Sequence, residues 1–162
     1  MKLNKQNNKV AIIMGSQSDY PVMKESEIIL KNLKIKSQVL IISAHRTPKR
    51  LFHFAENAEK NGFAVIIAGA GGAAHLPGMV ASLSAVPVVA VPIESKKLKG
   101  LDSLLSIVQM PKGCPTATMA INGAHNAGLF AASIIGTFDH KIKSALSKWK
   151  RLQTKSIKKK PK

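Results

Sequence analysis

The feature that most constrains this chain is a repeated alternation. A short apolar run is followed by a glycine or polar break, then by a stretch of helix-forming composition. Residues 10–14 (VAIIM), 38–42 (QVLII), 64–68 (AVIIA) and 88–91 form four such runs, and 116–121 supplies a fifth. Their length and β-branched content read as strands, and the apolar character of both faces reads as burial from both sides. Between them, helix composition covers 21–33, a stretch to about Asn61 opened by Thr47 and Pro48, a short segment at 76–84, 100–108, 124–135 and 139–152. Thr47 is expected to cap its helix through the hydroxyl, with Pro48 at the first helical position and Gly62 closing the far end. Strand and helix in strict alternation predict an α/β fold, a parallel sheet covered by helices on both faces.

The chain of 162 residues is one domain long, and 45% hydrophobic content is ordinary for a globular core. Residues 1–152 are expected to form that single domain. No internal repeat or linker divides it. No apolar run approaches the roughly 20 residues that a membrane-spanning helix needs. The polar start, MKLNKQNNK, lacks the apolar stretch of a secretory signal, and Cys114 is the only cysteine. Both point to a cytoplasmic location, without disulfides.

Net charge is +17, which raises nucleic acid or an anionic membrane as partners. The charge is uneven: from Asp139 onward ten Lys or Arg stand against that single Asp, leaving about +8 on the rest. The end of the chain, 153–162, reads as a basic, flexible tail with no core to bury. Aromatic residues make up only 4%, too few for base-stacking platforms, so neither nucleic acid nor a membrane is expected as the main partner.

In a parallel sheet, ligands bind beyond the carboxyl ends of the strands. Three polar or glycine-rich segments fall there: 15–19, 43–47 and 69–75. In the first (GSQSD), a strand-to-helix junction offers backbone N–H groups and a helix dipole to an anion. Ser16 and Ser18 add hydroxyls, and Asp19 can accept hydrogen bonds from sugar hydroxyls. The plainer reading is that Ser18 or Asp19 only caps the helix. In the second (SAHRTP), Arg46 presents a planar fork of donors beside a helix N-terminus, a placement the dipole disfavours unless an anion joins it. His45 sits at the strand end with the titration range that a proton carrier needs.

The third segment, GAGGAAHLPG, packs small residues that let a flat ligand approach the backbone. Gly69, Gly71 and Ala74 also fit the spacing of a dinucleotide fingerprint, with Glu94 roughly 20 residues on. Against that, the motif follows the third strand rather than the first. His75 can orient a ligand group or satisfy the polar atoms of a loop. His53 and His140 are expected at the surface, and Cys114 has no activating base beside it. Neither HExxH, an aspartate cluster nor a Walker lysine is present, so no metal site is expected.

MGSQSD, SAHRTP, AGAGGAAHLPGM, SIVQMPKGCP and the NAGLFAA segment, in this order and spacing, resemble the N5-carboxyaminoimidazole ribonucleotide mutase family over about residues 10–135. The resemblance implies a flavodoxin-like three-layer αβα sandwich with a five-stranded parallel sheet and a C-terminal helix. It also implies a homo-octamer, a ribonucleotide substrate, and no metal or organic cofactor. Ser16, Ser18, Ser43 and Arg46 would hold the phosphate, and Asp19 the ribose hydroxyls. The imidazole would lie against the loop from Ala70 through Gly71 to Leu76, with His45 and His75 as the catalytic candidates. The reaction implied is an intramolecular carboxyl transfer in purine biosynthesis, an isomerase reaction in which CO2 is released and recaptured at ring carbon C4.

Two alternatives stand beside it. A sister class, the aminoimidazole ribonucleotide carboxylases, uses free CO2 on the same fold; Arg46 and the AAHLPG run look like the mutase class. A nucleotide-sensing or RNA-binding module on this fold is the other. The segment AINGAHNAG is shorter than the form typical of the resemblance, and His125 is unusual within it.

Overall fold

In the computed structural model, residues 8–161 are described. The N-terminal stretch read above for the absence of a signal therefore lies largely outside the described residues, as does Lys162. Five strands, β1 (Lys9–Met14), β2 (Ser37–Ile41), β3 (Phe63–Gly71), β4 (Val88–Ile93) and β5 (Ala117–Thr118), form one sheet in the order β2-β1-β3-β4-β5. All neighbouring pairs are parallel. This is the flavodoxin-like order. Six helices connect and follow the strands: α1 (Tyr20–Asn32), α2 (Pro48–Asn57), α3 (Leu76–Leu83), α4 (Leu101–Val108), α5 (Ala124–Ile135) and α6 (His140–Ser156).

Alternation along the strands splits the core in two. Ile12, Met14, Ile67 and Val91 face α1, α5 and α6, packing on Met23, Leu30, Ala131 and Ile142. Ala11, Ile13, Ile66 and Ala68 face the other way, onto Leu51 and Phe54 of α2, Val80 of α3 and Ile107 of α4. The three expected layers are therefore present.

Several local expectations are corrected. β2 is an edge strand, and its side chains are half-buried or exposed rather than buried on both faces. β3 runs three residues past the expected end, to Gly71, because its pairing with β4 continues through Ala70 and Gly71 after its pairing with β1 ends at Gly69. β5 shrinks to two residues. α2 stops at Asn57, and turns carry the chain to Gly62, whose φ of +80° suits glycine. Thr47 does not cap α2: its hydroxyl instead donates to the Ser43 carbonyl and accepts from the Ser43 N–H, both at 2.9 Å. α6 extends to Ser156, past the helix end expected at about Leu152. Asp139 caps that helix, accepting from the N–H groups of Lys141 and Ile142. No helix among the described residues is long and apolar enough to cross a membrane.

Register fixes where the site lies. Met14 pairs with Ile41 and with Gly69, and Gly71 pairs with Ile93. The tips of β1, β2, β3 and β4 therefore end along one rim.

Candidate active site

A cleft of about 420 Å³ opens at that rim. From the first segment, Ser16, Ser18 and Asp19 border it; Ser43, His45 and Arg46 border it from the second; and Ala70, Gly71 and Leu76 from the third. Three stretches far apart in sequence thus share one concavity.

The first wall is a tight serine turn. The Ser16 hydroxyl accepts from the Ser18 N–H, and the Asp19 carboxylate accepts from the Ser16 N–H at 3.1 Å, a reciprocal capping box. The cap is therefore Ser16 with Asp19, not Ser18, and it closes the short turn at Gln17–Asp19 that precedes α1. Asp19 is buried, and burial raises its carboxyl above the ordinary range, although hydrogen bonds from Ser16, Ser18 and Gly15 and the Arg46 charge pull the other way.

Arg46 ties the first two walls together. Its Nη2 donates to the Gly15 carbonyl at 2.9 Å and its Nε to the Ser43 hydroxyl at 3.2 Å. The rest of its donor fork remains available at the cleft, beside the serine hydroxyls. A fixed cation beside those hydroxyls is suited to a phosphate.

Next to Arg46 in the chain, His45 Nε2 lies 2.9 Å from His75 Nδ1, and the rings meet edge to face at 84°. Both residues are exposed. His75 does not itself border the cleft but reaches the residue that does. His53 and His140 are exposed, as expected, while His125 lies near Trp149 and Glu25, away from the cleft.

The dinucleotide lookalike dissolves here. Gly69 and Gly71 lie within β3 rather than in a phosphate-binding turn. Gly69 is required for packing, since a Cβ there would collide with the buried Met23 side chain. No cluster of His, Cys, Asp or Glu that could hold a metal is found among the described residues.

The sequence reading missed a fourth wall. Ile93, Glu94 and Ser95, at the tip of β4, also border the cleft. Glu94 is held by Asn122, whose Oδ1 accepts from its N–H at 2.9 Å and whose Nδ2 donates to its carboxylate at 3.1 Å. The polar break ESKK after the fourth apolar run carried that signal by the rule already applied to the first three strands.

Residues 9–156 match the AIR carboxylase family. The chain is 54% identical over 149 residues to the N5-carboxyaminoimidazole ribonucleotide mutase of Thermotoga maritima, covering 92% of this chain and 87% of that one. It is 51% identical over 159 residues to the mutase of Escherichia coli K12, with 96% and 94% covered. The mutase of Saccharolobus solfataricus is 61% identical over 128 residues, with 79% and 81% covered. Among solved structures, Treponema denticola PurE superposes with a TM-score of 0.83 at 26% identity, covering 92% of this chain and 93% of that one. By sequence and by fold, the chain belongs to the AIR carboxylase family.

Proposed function

We propose that this chain is a mutase of purine biosynthesis, converting N5-carboxyaminoimidazole ribonucleotide to 4-carboxy-5-aminoimidazole ribonucleotide. One observation carries the reading from the geometry: a histidine paired with a second histidine borders the same cleft as an arginine-serine cradle. Identity of 51–61% to the three mutases described above supports the same choice over the other chemistries of the fold.

In this reading Arg46, Ser16, Ser18 and Ser43 hold the phosphate, Asp19 accepts from the ribose hydroxyls, and the imidazole lies against Ala70, Gly71 and Leu76. The carbamate N–C bond breaks, and its electron pair stays on the exocyclic nitrogen, which takes up a proton. Ring carbon C4 then bonds to the trapped CO2, and His45, oriented by His75, removes the C4 proton as the ring rearomatises. One histidine near neutrality can serve both transfers. Keeping CO2 beside the ring replaces a bimolecular encounter with a proximity-favoured step. The chemistry calls for neither a metal nor an organic cofactor.

The same proposal places the enzyme in the cytoplasm as a homo-octamer of one domain each, with the basic end of α6 and the residues after it accessory to catalysis. Exposed apolar side chains on and before α4 (Leu98, Leu101, Leu105 and Val108) support self-association.

Purified protein incubated with each candidate substrate, with and without bicarbonate, tests the reading. Conversion of the N5-carboxy substrate without bicarbonate is expected. Turnover of aminoimidazole ribonucleotide only when bicarbonate is added would assign the carboxylase reaction instead.

A further inference from the structure

We propose that Ser103 is a positioning residue for carboxyl transfer: it fixes Gly72 against the end of β4 and so holds shut the small-residue wall that retains CO2. The inference rests on the mutase reading above.

Ser103 lies on the inner face of α4 and is 0% exposed. Its hydroxyl donates to the Ile93 carbonyl at 2.6 Å and accepts from the Gly72 N–H at 2.8 Å. One buried oxygen therefore joins the tips of β3 and β4, and both Gly72 and Ile93 border the cleft. Gly72 has φ +68°, and a Cβ built there would meet nothing within 4 Å. Hydrogen bonds from α4 hold it: its N–H donates to the Ser103 hydroxyl, and its carbonyl accepts a longer one, 3.4 Å, from the Ser106 hydroxyl. Beside it, Asp102 accepts from the Ser95 hydroxyl at 2.7 Å, and Ser95 in turn accepts from the N–H groups of Leu98 and Gly100. The first turn of α4 thus splints both loops of the far wall. Ser103 and Asp102 themselves do not border the cleft.

Retention of CO2 depends on such a wall more than retention of the nucleotide does. Once the carbamate bond has broken, CO2 carries no net charge and offers the site little to grip. Phosphate and ribose remain tied to the opposite side of the cleft. Loosening Gly72 therefore opens an exit for CO2 while leaving nucleotide affinity intact, and the enzyme leaks aminoimidazole ribonucleotide.

The experiment uses substrate labelled with ¹³C in the carbamate carbon, turned over in unlabelled bicarbonate with carbonic anhydrase present. The wild-type chain is expected to keep the label in its product. Ser103→Ala is expected to lose severalfold more label and to release more free aminoimidazole ribonucleotide above the uncatalysed background. Its kcat should fall about tenfold while KM and the product Kd stay within about threefold, as for a small misplacement that leaves binding intact. Ser103→Cys keeps the volume and weakens both hydrogen bonds, so an intermediate leak is expected, and it serves if Ser103→Ala does not fold. Ser26→Ala is the control: it also removes a fully buried serine hydroxyl, one that donates to the Ala124 carbonyl on the other side of the sheet. Its label retention should match wild type. Retention in the Ser103 variants equal to that of Ser26→Ala overturns the inference alone; a wild-type chain that forms no product overturns the mutase reading and this inference with it.

Discussion

His45 Nε2 and His75 Nδ1, 2.9 Å apart, share one hydrogen bond between the segment after β2 and the turn before α3. One nitrogen must donate and the other accept, so the pair cannot carry a proton on both facing atoms and keep the contact. Whichever ring donates, His75 selects the tautomer of His45 and holds its plane. The pair therefore couples proton transfer to the loop that forms the small-residue wall.

His45→Asn is expected to lower turnover at least about a hundredfold, the usual scale for a lost general acid-base group, with the product Kd unchanged. His75→Ala should cost about tenfold, since it removes orientation rather than the proton carrier. Because the two act as one unit, the double variant should be no slower than His45→Asn alone. Single-turnover rates and product titration measure all three. Near-normal turnover of His45→Asn removes it from the role, and additive losses separate the histidines.

Arg46→Lys tests the phosphate cradle. A lysine has no planar fork, and cannot bond the Gly15 carbonyl and the Ser43 hydroxyl while still presenting donors to the cleft. Product affinity should fall about ten- to a hundredfold, or about 1.4–2.8 kcal/mol. Calorimetric titration with the dephosphorylated nucleoside supplies the contrast, because its affinity should be the same in both proteins. An equal loss for nucleotide and nucleoside would place the arginine away from the phosphate.

The limits of the sequence reading have physical causes. Strands β1 and β4 were legible because runs such as VAIIM are buried on both faces, and the three motif segments were legible because sheet topology sends every strand tip to one rim. β2 was read as more buried than it is, since QVLII gives no sign that it lies at the edge; that follows from strand order, a property of the whole chain. Thr47 followed by Pro48 has the composition of a cap, yet the Ser43 backbone competes for the same hydroxyl and wins. Ser103 carried no signal at all: a serine within LDSLLSIV reads as polar surface until the fold places Gly72 against it.

Asp19→Asn separates stability from function. Burial raises the Asp19 carboxyl in the folded chain, so the unfolded chain gives up this proton more readily. The favourable contribution is present below the unfolded value of 3.8 and is lost as pH rises through the higher folded value. At neutral pH the ionised group therefore destabilises the fold, while a neutral amide can still accept from the Ser16 N–H. The Tm of Asp19→Asn should equal or exceed wild type at pH 7, and wild type should gain on it as pH falls toward 4. Product affinity should nonetheless drop if Asp19 accepts from the ribose. A Tm difference that does not change with pH would mean that the carboxyl is not held above its ordinary range.

Gly69→Ala probes the packing beneath the cleft. A Cβ at Gly69 would overlap the side chain of Met23, which is 0% exposed. Overpacking at such a site costs about 1–3 kcal/mol. Met23→Ala alone should cost about 2–5 kcal/mol through the cavity it leaves. Combined, the new methyl occupies part of that cavity, so the double variant should be less destabilised than the sum of the two, by an interaction of at least about 0.5 kcal/mol. Denaturant unfolding of the four proteins closes the cycle. Strict additivity would show that Met23 is not what meets the new methyl, and that the glycine is needed there for its backbone instead.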